Sequence, residues 1–260
     1  MNPSAELEAA LEAAARAADI ARSLYLSNLE VRIKSDRTPV TEADVRCEVA
    51  IREILEARFP AHGFYGEETD PRDMSAESVW LVDPIDGTKA FVREYPFFST
   101  QIALMRGGEI VLGVSSAPVY GELAHAERGG GAYLNGRAVR VSEIAALSAA
   151  TLSSGNLESL AAGDRWPSYG RIVAEVNRAR GYGDFLHYHL LAAGKIDAVV
   201  ESDVNILDIA ACVAIVTEAG GRFTDLAGAP VGLSTSSVLA TNGRLHAPLL
   251  AALAGDRAAR

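Results

Sequence analysis

Apolar residues recur along this chain with two different periods. From residue 4 to about 26 an Ala-rich stretch sets Leu7, Leu11, Ala14, Ala18 and Ala21 on one helical stripe, behind a serine placed to cap it. A second helical stripe covers about 42–58. Thr41 is its expected N-cap, Val45, Val49, Ile51 and Leu55 are its apolar positions, and Pro60 lies beyond its end. The polar stretch 34–39 between them reads as a loop. From Val79 onward the period changes. Residues 79–82, 100–105 and 110–115 have the character of buried strands, and 122–139 reads as hairpins turning at Gly129-Gly130-Gly131 and Asn135-Gly136. The C-terminal half alternates again, with a helix around 185–193, a strand at 198–201 and a helix over 208–219 closed by Gly220. Strands follow near 222–224 and 238–240. Helices, a run of strands and then alternation predict layered α+β packing rather than a simple doubly wound sheet.

With 260 residues, 49% of them hydrophobic, the chain can bury a large core. It is expected to form a single domain over 1–260, made of two halves, roughly 1–145 and 146–255, with a frayed tail at 256–260. The net charge of -10 argues against a nucleic-acid or anionic-membrane binder, which needs a surplus of Lys and Arg. An acidic protein still binds phosphate where metal ions supply the positive charge. Cys47 and Cys212 form neither a CxxC pair nor a disulfide framework, which fits a reducing compartment. No secretory pattern opens the chain and no apolar run approaches about 20 residues, so a cytoplasmic protein without membrane contact is expected.

The chemistry concentrates at Asp83-Pro84-Ile85-Asp86-Gly87-Thr88, where a buried strand ends in two carboxylates, a proline, a glycine and a hydroxyl. Two acids this close repel unless a cation or proton joins them, and hard oxygen ligands suit Mg²⁺. A helix starting at Gly87-Thr88 also aims free N–H groups into the same space, as a phosphate seat does. Gly66-Glu67-Glu68 offers further carboxylates. Asp208 stands at a helix start and Thr41-Glu42-Ala43-Asp44 resembles a capping box, so both read locally as caps; Glu201 reads locally as a strand-edge charge. His187 and His189 do not share a face of a helix, which argues against a metal pair. Gly181-Tyr182-Gly183 lacks the third glycine of a dinucleotide loop, and no Gly-x-Ser-x-Gly elbow is present.

Asp83 to Thr88, preceded by Gly66-Glu67-Glu68 and followed by Asp208-Ile209-Ala210-Ala211 and Glu218-Ala219-Gly220-Gly221, resembles the inositol monophosphatase family over nearly the whole chain. The resemblance implies a layered αβαβα sandwich, commonly dimeric, and a Mg²⁺-dependent, lithium-sensitive phosphomonoesterase acting on a small-molecule phosphate ester. By position, Glu67, Asp83 and the Ile85 carbonyl would hold one Mg²⁺, and Asp83, Asp86 and Asp208 a second, with Glu67 near a weaker third ion. Thr88, hydrogen-bonded to Asp44, would orient the attacking water. The Gly87 and Thr88 amides would bind phosphate, Glu201 the alcohol, and Lys34 falls in the loop before the Asp44 segment. Leu207 stands where the family often has Trp. Lys89, Phe91-Val92-Arg93, 181–185 and 221–226 look more like the histidinol-phosphatase branch than the inositol branch. A cationic alcohol such as histidinol would suit Glu201 and Asp203. The alternatives are inositol 1-phosphate as substrate, or a regulatory relative that keeps the fold without catalysis.

Overall fold

Ser4 accepts a hydrogen bond from Leu7 N and starts helix α1 (Ala5–Leu24), whose inner face is mostly alanine. Small side chains let it lie close against α2 (Glu42–Arg58), close enough for Cys47 Sγ to donate to Ala17 O at 3.5 Å. The computed structural model describes residues 3–27, 31–33 and 39–255. Lys34 and the tail 256–260 lie outside the described residues. A short antiparallel pair, β1 (Val31–Ile33) and β2 (Pro39–Thr41), leads into α2.

The α1–α2 pair covers one face of a seven-stranded sheet. Its strands are β3 (Gly63–Gly66), β4 (Ser78–Asp86), β5 (Ser99–Arg106), β6 (Glu109–Ala117), β7 (Glu122–Glu127), β8 (Gly131–Leu134) and β9 (Arg137–Val139). They pair in chain order, β3 parallel to β4 and the rest antiparallel. Along β4, Trp80 and Val82 pack towards α1 and α2, while Val79 and Leu81 pack towards the opposite layer. A strand buried on both faces needs apolar residues at every position, hence the unbroken apolar run. Asn135 and Gly136 both have positive φ, as the two-residue β8–β9 turn requires.

Helices α6 (Asp184–Ala192) and α7 (Ile206–Glu218) form the middle layer. Beyond them lies a five-stranded sheet of β10 (Thr151–Gly155), β11 (Arg178–Arg180), β12 (Ala198–Ser202), β13 (Arg222–Thr224) and β14 (Ser237–Thr241), in the order β11-β10-β12-β14-β13. On β12, Val199 joins the middle core and Val200 the outer one. That outer core is closed by α4 (Leu157–Ala162), α5 (Trp166–Glu175) and α8 (His246–Ala254). Helix α3 (Thr88–Val92) is a single short turn after β4. The layers are therefore α, β, α, β, α, the expected sandwich. Among the described residues no helix is long and apolar enough to cross a membrane.

The structure differs from the periodic expectation at three places. Strand β4 does not stop at Pro84 but continues through an irregularity to Asp86. Helix α7 begins at Ile206, with Asn205 as its N-cap and Asp208 already inside its first turn. Strands β1, β2, β3, β10 and β11 and helices α4, α5 and α8 are additional to the expected elements: β2 begins at Pro39, inside the expected loop, α4 has six residues, and β11 is the polar edge sequence Arg-Ala-Arg.

Gly113 sets the approach of α7 to the sheet, since a Cβ there would lie 2.3 Å from Ala211 O. The obstacle is backbone, so only movement of the whole helix relieves it. Gly113→Ala is expected to destabilise the protein by about 1–3 kcal/mol, read as a lowered midpoint in urea unfolding.

Candidate active site

The ends of several elements converge on one region. The irregularity in β4 explains how a single strand supplies two acids. Residues three apart on a regular strand point to opposite faces. Here Asp83 pairs with Gln101 and Asp86 with Ser99, so one extra residue is accommodated between them and both carboxylates reach the same side. Pro84 lies in that bulge, where no ladder N–H is needed. Two bonds hold the bend: Ile85 N donates to Asp83 Oδ1 at 3.0 Å, and Thr100 Oγ1 donates to Pro84 O at 2.9 Å. Gly87 follows at φ 87°, with its absent Cβ only 2.7 Å from Phe97 O, so no other residue fits without strain.

Asp83, Asp86 and Asp208 each bring a carboxylate oxygen within 4.8 Å of the others. Asp208 comes from the first turn of α7 and also accepts from Asn205 N at 2.8 Å, so it both caps the helix and joins the cluster. Asp44 divides its two oxygens in the same way. Oδ2 accepts from Thr41 N and Thr41 Oγ1, closing the capping box, while Oδ1 takes the Thr88 hydroxyl at 3.1 Å. Thr88 Oγ1 is also 3.0 Å from Ile85 O.

Glu67 is exposed just after β3, and its charge acts on Asp83 and Asp208. The loop that presents it is fastened by Glu48, a fully buried carboxylate the periodic pattern did not single out. Glu48 accepts from Glu68 N at 2.8 Å and Thr69 N at 2.7 Å, and a Cβ on Gly66 would lie 2.4 Å from its carboxylate. Its signal in the sequence was an acid one turn after Asp44, on the face shared by Cys47, Ile51 and Leu55.

A buried hydrogen-bond chain fastens Asp86. Ser99 Oγ donates to Asp86 Oδ2 at 3.1 Å, and Gln101 Nε2 donates to Ser99 Oγ at 2.8 Å and to Ser115 Oγ at 3.0 Å. Ser115 meets His189 Nε2, and His189 Nδ1 meets Glu122 Oε2, both at 2.8 Å. Because Gln101 donates in both directions, the chain braces the carboxylate but cannot pass a proton along its length.

Beside the three acids, Asp184, Tyr188, Glu201 and Asn156 line a pocket that Asp86 and Asp208 complete. Asp203, expected beside Glu201, is exposed and lines a separate cavity of about 330 Å³ with Ser159 and Arg165. Left-handed backbone at Asp203 (φ 56°) carries it away from the strand line, and Asp184 takes the place assigned to it. His187 and His189 diverge, one to Glu201 and the other to Glu122. Neither joins the acid cluster.

Burial, then the charges of Glu67, Asp86 and Asp208, push the Asp83 carboxyl well above its usual range. Burial and the charges of Asp184 and Asp208 do the same to Asp86. Asp208 is pushed up to about 6 by burial and Glu67, against hydrogen bonds from Asn205 and Asp83. Asp184 is raised to about 6 by desolvation and by Glu201, although solvent on its open side screens part of that effect. Burial also raises Asp44. Held this close together the groups repel one another as anions, and an all-oxygen set of this kind fits a hard divalent ion.

Clustered acids at a strand end, a paired threonine and an acidic pocket beside them are an arrangement suited to a metal-assisted phosphatase centre. The inositol monophosphatase family profile matches residues 2–258, and the chain belongs to that family. It is 36% identical over 254 residues to the histidinol-phosphatase of Chlorobaculum parvum, covering 97% of this chain and 98% of that protein. It is 37% identical over 221 residues to the inositol-1-monophosphatase of Rhizobium meliloti, covering 84% and 83%. The crystal structure of extragenic suppressor protein suhB from Bartonella henselae superposes with a TM-score of 0.88 at 32% identity, covering 97% of this chain and 99% of that one. The chain is accordingly a phosphoric monoester hydrolase of a metal-dependent family.

Two expectations follow. Folded-state values raised above the unfolded Asp value near 3.8 stabilise the protein below that value, and the contribution is lost as pH rises through about 6. In chelator, the melting temperature should therefore fall between about pH 4 and pH 7, and excess Mg²⁺ should reduce the fall; thermal scans across that range check it. Glu48→Gln turns an amide N–H against one of two backbone donors. It is expected to cost about 1–3 kcal/mol and to raise the Mg²⁺ concentration needed for half-maximal activity, read by urea unfolding and metal titration.

Proposed function

We propose that this chain hydrolyses a small phosphate monoester with Mg²⁺, and that its substrate is L-histidinol phosphate. The observation that carries the substrate choice is the pair Asp184 and Glu201 on the pocket wall beside the three-acid cluster. Two carboxylates there attract an ammonium on the alcohol portion. Inositol offers only hydroxyls and leaves that charge uncompensated. The similarity to histidinol-phosphatases supports the same choice.

Glu67, Asp83 and the Ile85 carbonyl would hold one Mg²⁺; Asp83, Asp86 and Asp208 would hold a second; and Glu67 would stand near a weaker third ion. When bound, Mg²⁺ supplies positive charge that neutralises the phosphate and lowers the pKa of the attacking water. The chain's own residues do the rest. Thr88 commits its hydroxyl proton to Asp44 or Ile85 O. Its oxygen is then left to accept a hydrogen bond from the water and fix its direction. Asp44, buried and raised, is the group placed to receive a proton through Thr88. Glu67, open to solvent, is the second base at the water. The Gly87 and Thr88 amides, at the first turn of α3, seat the phosphate. Glu201 and Asp184 hold the alcohol. A regulatory relative without catalysis would have no use for five placed groups, Glu67, Asp83, Asp86, Thr88 and Asp208.

Phosphate release from L-histidinol phosphate and inositol 1-phosphate, with Mg²⁺ and with chelator, tests the reading. Mg²⁺-dependent turnover should favour histidinol phosphate in kcat/KM, and Asp86→Asn should lower it at least about 100-fold with an unchanged circular dichroism spectrum. Preference for inositol 1-phosphate would overturn the substrate, and no Mg²⁺-dependent release from either would favour the regulatory reading.

A further inference from the structure

One buried histidine of α6 faces Glu201 and has no part in the chemistry above. His187 is fully buried, and its Nε2 lies 3.1 Å from Glu201 Oε2, off the line of a straight hydrogen bond. Its Nδ1 is 3.4 Å from Ser153 Oγ, which also accepts from Tyr182 N at 3.2 Å. Ser153 thus has its own proton to give to Nδ1, and this hydrogen-bond pattern assigns the ring proton to Nε2, on the Glu201 side. The next residue, Tyr188, donates its hydroxyl to the same Oε2 at 2.6 Å. Neighbours on a helix diverge by about 100°, so the two donors approach one oxygen from different directions.

The other oxygen is located by a strand. Gly155 pairs with Glu201 across β10 and β12, and a Cβ on Gly155 would lie 2.0 Å from Glu201 Oε1. Glu201 is itself 5% exposed. A carboxylate in that position, beside Asp86, Asp184 and Asp208, needs donors to remain an anion. Among the described residues Tyr188 donates to it directly, and His187 Nε2 stands 3.1 Å from the same oxygen.

We propose that His187 is a specificity-positioning residue: with Tyr188 it tethers Oε2 of Glu201, so that Oε1, over Gly155, is presented to the ammonium of an amino-alcohol phosphate. The inference rests on the histidinol phosphate reading and adds to it a residue that touches no substrate. Its signature is selectivity: weakened tethering impairs recognition of the cationic alcohol and leaves the acids at the bulge in place.

His187→Leu, which removes the donor, and Tyr188→Phe, which removes only a hydroxyl, are compared with the native enzyme at saturating Mg²⁺. The substrates are L-histidinol phosphate and glycerol 2-phosphate, which carries no cation. In each variant the ratio of kcat/KM for the two substrates should fall about tenfold, the loss of roughly one charge-assisted hydrogen bond, and the change should lie in KM for histidinol phosphate. Thermal unfolding checks that each variant is folded, and Tyr188→Phe carries the test if His187→Leu is not. A native enzyme that hydrolyses histidinol phosphate, with folded variants of unchanged ratio, overturns this proposal alone. Parallel losses on both substrates also overturn it, since they mark a general structural defect. A native enzyme that hydrolyses glycerol 2-phosphate and inositol 1-phosphate but not histidinol phosphate overturns the substrate reading and this proposal together.

Discussion

Mutual repulsion among Asp83, Asp86 and Asp208 is the constraint around which this structure is arranged. Three carboxylates within 4.8 Å of one another, one of them almost fully buried, oppose folding in the absence of a cation. The surrounding scaffold holds them there by fastening each to a rigid element. Asp83 is tied to Ile85 N, Asp86 to Ser99, and Asp208 to the first turn of α7. A bulge in β4 does what a regular strand cannot, turning two residues of the same strand to one side.

In the supporting shell, buried polar groups are fastened to defined partners on neighbouring elements. Glu48 anchors the Glu67 loop, and the Ser99–Gln101–Ser115–His189–Glu122 chain braces Asp86. Close approaches are left to glycines: Gly66 over Glu48, Gly155 over Glu201 and Gly113 under α7. These contacts join layers of the sandwich, so the site and the fold are stabilised by the same interactions. Removing a partner from such a network leaves a desolvated donor or acceptor, which costs more than the bond itself contributes.

Much of this was legible beforehand where the physics is local. Periodicity placed α1, α2, α6, α7 and the central strands within a few residues, and the turn chemistry of Asn135-Gly136 placed the β8–β9 hairpin. The acids of the site were also visible, because a strand ending in two carboxylates, a glycine and a threonine has few structural uses. What escaped was short or depended on partners. Helix α4 and strand β11 are too brief for a period to register. Glu48 looked like one more helix acid until the Glu67 loop was placed against it, and Asp184 looked remote from the centre until α6 was packed beneath β12. For Asp44 and Asp208, a helix cap and a place in the site were not rival roles. A carboxylate has two oxygens, and in Asp44 each serves a different partner.

By itself the sequence determined the main helices and central strands, the Thr41–Asp44 capping box and the identity of the acids and hydroxyl that gather at the end of β4, because these depend on neighbours within one or two turns. Only the tertiary structure decided that Asp184 rather than Asp203 shares the pocket with Glu201, that Glu48 fastens the Glu67 loop, and that His187 faces a carboxylate instead of a metal. Those outcomes depend on how helices and strands far apart in the chain pack together. A one-residue bulge or a single left-handed residue redirects a side chain, and no local pattern records where it then points.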